Sequence, residues 1–117
     1  MSYVLYGIPN CDTIKKAKAW LNDHDITYRF HNYKKDGIDA TKLQSWFAQE
    51  PILRIVNKAG TTYRKLTDED KKKLEDETFV IKVLQEQPSM IKRPILELDN
   101  VIVSIGFKPD LYEDIFR

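Results

Sequence analysis

The sequence has 117 residues, of which 42% are hydrophobic and 32% are charged. This balance is typical of a single folded domain with a buried core, and it excludes a disordered chain. The formal net charge of +1 leaves no cationic surplus for a phosphate backbone, so direct nucleic-acid binding is not expected. A membrane span is not expected either, because no apolar run approaches the ~20 residues that a spanning helix needs.

Two further features predict a cytoplasmic protein. The N-terminal residues lack the basic and apolar stretches of a signal peptide. The chain also contains a single cysteine, Cys11, which cannot form a disulfide within the chain. Both features are typical of a protein that works in a reducing compartment.

The first third of the chain predicts a strand, a helix and a second strand, over residues 3–6, about 12–24 and 27–32. Asn10 or Asp12 is expected to cap the helix. The helix should bury the apolar residues that recur at spacings of three and four, which are Ile14, Ala17, Trp20 and Leu21. Such a succession forms a βαβ unit, so the two strands should be parallel with a right-handed crossover.

The middle of the chain predicts helices joined by loops. Asp39 and Thr67 are expected to cap two of these helices, and Asp70 completes a capping box with Thr67. A further helix over 77–87 should bury a stripe formed by Phe79, Val80, Val83 and Leu84. Residues 34–37 and 58–61 are predicted to be loops. The pattern of residues 52–57 fits a short helix and a strand equally well.

The last quarter predicts a hairpin and a closing helix. Two β-rich runs, 94–98 and 101–105, are separated by Asp99-Asn100, residue types that favour a two-residue turn. Pro109 suits the first position of a helix, which should dock through Leu111, Tyr112, Ile115 and Phe116. The whole order predicts one thioredoxin-like α/β domain over 1–117. It has a four-stranded mixed sheet, flanking helices and a central helical insertion at about 37–90.

Cys11 is the first candidate for chemistry. It lies between a loop and a predicted helix start, in a run with Pro9 whose composition is not that of a core segment. The unpaired N–H groups of a helix start favour a thiolate over a thiol, and Lys15 and Lys16 would add positive charge. A buried structural cysteine is the alternative. Because Ile14 stands where a C-x-x-C motif has its second cysteine, an outside thiol would have to resolve any disulfide.

Arg93-Pro94 is the second candidate, just before the predicted hairpin. An arginine at the end of a sheet can offer a forked pair of donors to a carboxylate or an oxyanion. A plain surface arginine is the alternative. The two histidines, His24 and His31, do not have a zinc-site spacing with Cys11, so we expect them to be structural and expect no metal site.

Four segments together resemble the arsenate-reductase-like (ArsC/Spx/YffB) family, with the YffB branch as the closest match. They read YGIPNCDTIKKA (6–17), GTTYRKL (60–66), IKRPI (91–95) and GFKP (106–109). The resemblance implies that Cys11 is the nucleophile at the start of the first helix, that Arg93 faces it and that Pro94 is cis. It also implies a binding set for substrate or glutathione, formed by Arg93, Pro94, Thr13, Lys15, Arg64 and Lys108.

The chain departs from the arsenate reductases of that family. No histidine precedes Cys11, and the residues that follow it are Asp12-Thr13-Ile14-Lys15 in place of Gly-Thr-Ser-Arg. Three arginines hold the oxyanion in those reductases, and only Arg93 is clearly kept here. The place of the mid-chain arginine falls on Asn57 or Lys58, and that of the last arginine falls on Lys108. Lysine lacks the bidentate fork of arginine, so an arsenate site here should be weak.

The resemblance implies three functions, which we state as hypotheses. The first is a glutathione-dependent thiol reductase, in which the Cys11 thiolate attacks an oxidised or electrophilic substrate whose anionic group Arg93 holds. Glutathione would be a co-substrate, and no cofactor would be held permanently. The second is an Spx-like regulator that binds RNA polymerase or another protein. The third is arsenate reduction itself, for which the incomplete arginine set predicts little turnover.

Overall fold

The structure is a computed structural model that describes residues 2–117. The strands are β1 (Tyr3–Gly7), β2 (Tyr28–Asn32), β3 (Ile95–Leu98) and β4 (Val101–Ile105). The helices are α1 (Asp12–Asp23), α2 (Tyr33–Asp36), α3 (Ala40–Gln49), α4 (Ile52–Ile55), α5 (Thr61–Arg64), α6 (Asp68–Lys73), α7 (Glu77–Glu86) and α8 (Pro109–Ile115), with a 3-10 turn at Pro88–Met90. The chain divides into two compact units: a sheet unit, 2–32 with 93–117, and a helical unit, 33–92.

The sheet unit contains the predicted four-stranded mixed sheet, in the order β2-β1-β3-β4. β1 and β2 are parallel, with Tyr3 opposite Tyr28, as the βαβ pattern predicts. β3 is antiparallel to both β1 and β4. The turn of the β3–β4 hairpin is formed by Asp99 and Asn100 at φ 49° and 72°. Aspartate and asparagine tolerate this left-handed conformation better than most residues, which explains why the sequence predicts the turn correctly.

The core of the sheet unit lies between the sheet and the helices α1 and α8. Leu5 and Leu96 of the sheet pack there with Ala17, Leu21 and Tyr112. Full burial of one such leucine contributes about 1.5–3 kcal/mol. The predicted docking residues of α8 are correct except Leu111, which is 36% exposed. It adjoins the buried Tyr112, and neighbouring positions on a helix point about 100° apart.

The helical unit has a separate set of buried residues. α3 buries Leu43 and Trp46, and Asp39 stands at its N-cap as predicted. Thr67 Oγ1 accepts the N–H of Asp70 at 3.0 Å, which confirms the predicted cap. In α7, Val80 and Leu84 are buried as predicted, and Ile81 is buried in place of the predicted Phe79 and Val83.

The two wrongly predicted positions of α7 have a physical explanation. Phe79 and Val83 are only half-buried, whereas Ile81 is buried. Apolar residues lie on more than one side of this helix, so periodicity allows more than one buried face. Packing against the rest of the helical unit decides between them.

The predicted loops at 34–37 and 58–61 are partly wrong. α2 occupies most of the first, and α5 begins at the end of the second. Such helices are four residues long, too short to show a helical period in the sequence. The predicted insertion at 37–90 falls inside the helical unit, and one domain over 1–117 stays a prediction. Within residues 2–117, no helix is both long and apolar enough to cross a membrane.

Candidate functional site

Cys11 stands at the junction of the β1–α1 loop and α1. It is the N-cap of α1, with φ −119° and ψ 127°, so the prediction of Asn10 or Asp12 as the cap is wrong. Its carbonyl oxygen accepts the N–H of Lys15 at 3.0 Å. The side chain is half-buried. Capping preferences of single residues amount to about 1 kcal/mol, which the packing of a whole helix readily overrides.

The surroundings of the Cys11 sulfur lower the pKa of the thiol. Burial acts in the opposite direction, because it disfavours the charged form. The effect of burial is outweighed, first by the backbone N–H of Ile14 and then by a hydrogen bond from the guanidinium of Arg93. The N–H of Thr13 and the positive charge of Arg93 lower the pKa further. The sulfur does not form a full capping hydrogen bond with the helix. The two amides therefore act on it mainly as nearby dipoles at a helix start.

Arg93 reaches Cys11 because of the order of the strands. β1 leads towards Cys11 and β3 starts just after Arg93, and these two strands are antiparallel neighbours, with Tyr6 opposite Ile95. The end of β1 therefore meets the start of β3. The Arg93–Pro94 peptide bond is cis. The carbonyl oxygen of Pro94 accepts the N–H of Gly106 at 2.8 Å.

The remaining residues of the predicted binding set lie in different places. Thr13 contributes its amide to the sulfur, and the side chain of Lys15 is exposed one turn into α1. Lys108 is the exposed N-cap of α8, two residues after Gly106. Arg64 belongs to the helical unit, where its guanidinium donates to the Ala59 carbonyl at 2.6 Å. The contacts of these residues with a substrate stay predictions.

The histidines take part in aromatic contacts. The ring of His24 stacks on that of Trp20, with centroids 3.7 Å apart, and its Nδ1 lies 2.8 Å from the Trp20 carbonyl oxygen. His24 is at the C-terminal end of α1, opposite the end that holds Cys11. The ring of His31 lies 4.9 Å from that of Tyr6. Among the described residues, no three histidine, cysteine, aspartate or glutamate side chains gather as a metal-binding group.

A buried polar pair was missed from the sequence. The Tyr6 hydroxyl donates to Glu97 Oε1 at 2.7 Å, and Glu97 is only 1% exposed. Burial, followed by the hydrogen bond to Glu97, raises the pKa of Tyr6. A single glutamate in an apolar strand is usually taken to point towards solvent, so the sequence does not indicate that Glu97 is buried. The pair ties β1, which precedes Cys11, to β3, which follows Arg93.

Comparison with known proteins agrees with this architecture. The sequence model of the ArsC family matches residues 6–115. A solved structure of a protein named YffB has a TM-score of 0.86 and 49% identity, and the match covers 96% of each chain. An uncharacterized protein of Haemophilus influenzae is 43% identical over 112 residues, again 96% of each chain. The global transcriptional regulator Spx of Staphylococcus aureus is 33% identical over 109 residues, which are 91% of this chain and 80% of Spx. The chain therefore belongs to the ArsC family.

Proposed function

We propose that the protein is a cytoplasmic thiol reductase that works with one cysteine and with glutathione. The observation that carries the proposal is the position of Cys11 at the start of α1, with Arg93 and two backbone amides acting on its sulfur. This arrangement favours the thiolate, which is the nucleophilic form of cysteine.

The reaction has two steps, each an exchange of a thiol with a disulfide. The Cys11 thiolate attacks the glutathione sulfur of a mixed disulfide between glutathione and a substrate thiol. A disulfide between Cys11 and glutathione forms, and the substrate leaves as a thiolate that takes up a proton. A second glutathione thiolate then attacks this disulfide, which frees the Cys11 thiolate and leaves oxidised glutathione. Overall, one free glutathione is consumed: the mixed disulfide becomes the substrate thiol, and the glutathione that it carried leaves joined to the incoming one as oxidised glutathione.

Arg93 has two roles in this proposal. Before the reaction, its guanidinium stabilises the thiolate, as its contact with the sulfur supports. When glutathione is bound, the same guanidinium offers a forked donor pair to a carboxylate. We assign Lys15 and Lys108, both exposed in the sheet unit, to the other anionic groups of glutathione.

The test is mass spectrometry of the intact protein after treatment with oxidised glutathione. We expect one glutathione adduct, located on Cys11 by peptide mapping and removed by reduced glutathione. The Cys11→Ser variant should carry no adduct. A wild-type protein that forms no adduct, and whose thiol titrates like that of a free peptide, would contradict the proposal.

The similarity to Spx supports a second candidate function. The identity of 33% over 109 residues favours a regulatory protein that docks on RNA polymerase or another protein. Docking of this kind does not need a thiolate, so Cys11→Ser should still bind. Recovery of RNA polymerase with both the wild type and this variant would favour the regulator over the reductase.

Arsenate reduction is a third candidate, and we expect little of it. Arg93 acts on Cys11, and the family resemblance implies that Lys108 takes the place of a second arginine. A turnover assay with arsenate, glutathione and glutaredoxin tests this candidate. Turnover well above that of the Cys11→Ser variant would make arsenate the substrate.

A further inference from the structure

The first turn of α1 packs closely on the last residue of β1. A Cβ atom added to Gly7 would overlap Cδ1 of Ile14 and lie 2.8 Å from its Cγ1. Real Cβ atoms essentially never come so close to another heavy atom. Gly7 is therefore required here for space, since the side chain of Ile14 occupies the volume where any other residue would have its Cβ.

Ile14 has little freedom to move out of that volume. Its side chain is fully buried, with 0% exposure, and it is branched at Cβ, which restricts χ1 in a helix to essentially one rotamer. On another side the ring of Phe30 comes within 3.7 Å of the same point. Rotation about χ2 would move Cδ1 aside, but Cγ1 at 2.8 Å moves only with χ1, which is restricted, or with the backbone. A larger residue at position 7 would therefore displace the backbone of Ile14, because well-packed interiors transmit such strain.

The backbone of Ile14 is also part of the candidate site. Ile14 is the third residue of α1, and its N–H acts on the sulfur of Cys11. One residue therefore fills the space above Gly7 with its side chain and faces the reactive sulfur with its amide. A shift of the Ile14 backbone that carries Cγ1 away from β1 moves the amide as well.

We infer that Gly7 and Ile14 are positioning residues: their close contact sets the place of the first turn of α1 relative to the Cys11 sulfur. The inference rests on the proposed function only in that it takes this sulfur to be the reactive atom. It is consistent with the order of influences on the thiol, because the N–H of Ile14 is the largest single influence that lowers the pKa of Cys11.

The test is the pH profile of Cys11 alkylation by iodoacetamide, whose midpoint reports the thiol titration apart from access to the sulfur. In Gly7→Ala we expect a midpoint at higher pH than in the wild type. At a pH below the wild-type midpoint, alkylation should slow about two- to fivefold, the scale of one interaction between a charge and a helix end. A midpoint equal to that of the wild type would overturn the inference.

Gly37→Ala is the matched control. Gly37 lies in the helical unit at φ +68°, with nothing within 4 Å of the position of an added Cβ. The substitution strains the backbone and destabilises the protein, yet it should leave the midpoint unchanged. A shift equal to that of Gly7→Ala would mean that loss of stability alone moves the thiol titration, which would also overturn the inference.

A double-mutant cycle separates positioning from packing. Ile14→Ala removes both atoms that the added Cβ would meet, so in that background Gly7→Ala should no longer shift the midpoint. An equal shift with and without the Ile14 side chain would overturn the inference. If the Gly7→Ala single variant does not fold, Ile14→Ala is compared with the double variant, and a shift of the midpoint between these two would overturn the inference. A different result would contradict the proposed function, namely a wild-type protein in which the midpoint of Cys11 alkylation equals that of a free thiol.

Discussion

The sheet unit and the helical unit are built in different ways. The sheet unit has four paired strands and a helix of 12 residues, and it contains both Cys11 and Arg93. The helical unit has helices of four to ten residues and buries its own large side chains, among them Trp46 and Leu84. The candidate chemistry thus depends on the end of β1 and the start of β3, whereas the helical unit has buried residues of its own. Substitutions in the two units should therefore change different measurements.

The largest effect is expected from Cys11→Ser in the sheet unit. Serine is close in size to cysteine, but its hydroxyl cannot form a disulfide, so formation of the glutathione adduct should be abolished. Far-ultraviolet circular dichroism should show an unchanged fold. Because the chain has no other cysteine, an adduct that persists in this variant would not be a disulfide and would contradict thiol–disulfide exchange.

The next largest effect is expected from Trp46→Ala in the helical unit. Trp46 is fully buried, and loss of a buried tryptophan typically costs about 3–5 kcal/mol through lost transfer energy and a cavity. Urea denaturation should show this decrease in the free energy of unfolding. The pH midpoint of Cys11 alkylation should stay that of the wild type, measured in conditions where the variant is folded. A shifted midpoint would show that the helical unit takes part in thiol activation.

A smaller effect is expected from Arg93→Ala. Loss of the guanidinium removes a hydrogen bond and a positive charge from the sulfur, so the pKa of Cys11 should rise and the alkylation profile should move to higher pH. Arg93→Lys keeps the charge but not the forked donors, so its alkylation profile should lie between those of the wild type and Arg93→Ala. Identical profiles for Arg93→Ala and the wild type would leave the helix start as the sole cause of activation.

The lowered pKa of Cys11 also makes stability depend on pH. In the folded protein the thiolate forms at a lower pH than in the unfolded chain, so its contribution to stability is fully present above the unfolded pKa. The contribution is lost as the pH falls through the folded pKa. The difference in free energy of unfolding between the wild type and Cys11→Ser should therefore grow as the pH rises through this window. A difference that is constant with pH would contradict a lowered pKa.

The smallest effect is expected from Thr67→Ala at the start of α6. The Thr67 hydroxyl accepts the N–H of Asp70 at 3.0 Å, and loss of such a cap costs about 0.5–2 kcal/mol. Urea denaturation should show that loss, while adduct formation on Cys11 stays unchanged. Thr67→Ser is the control, since it retains the capping oxygen and should stay near the wild type.

Much of the sheet unit could be predicted because its signals are local and strong. The hairpin has Asp99-Asn100 between two β-rich runs, and α1 repeats its apolar residues over three turns. The position of Cys11 near a helix start follows from the same pattern. Its place as the N-cap itself does not, because Asn10 and Asp12 are better capping residues and only packing places the helix. The contact between Arg93 and Cys11 joins distant parts of the sequence, so it came from the family resemblance.

Prediction was poorer in the helical unit for physical reasons. A helix of one turn such as α2 has too few residues for a period to be seen, and the buried face of α7 depends on its neighbours. Residues 52–57 fitted a helix and a strand equally well. The structure has a helix up to Ile55, and then Val56 in an isolated antiparallel bridge with Ile91. The buried position of Glu97 likewise depends on the tertiary structure around it.

The bridge between Val56 and Ile91 has a consequence for how this family can diverge. It is held by main-chain bonds, from the N–H of Asn57 to the Met90 carbonyl at 2.6 Å and from the N–H of Lys92 to the Ile55 carbonyl at 2.7 Å. Any residue except proline can donate its backbone N–H in this way. The side chain at 92 can thus change while the chain keeps its path into Arg93, whereas Asn57 has a second role, because its Oδ1 accepts the N–H of Ala59 at 3.2 Å. A new charge or a new docking residue can be acquired at position 92 without rebuilding the loop that holds the arginine.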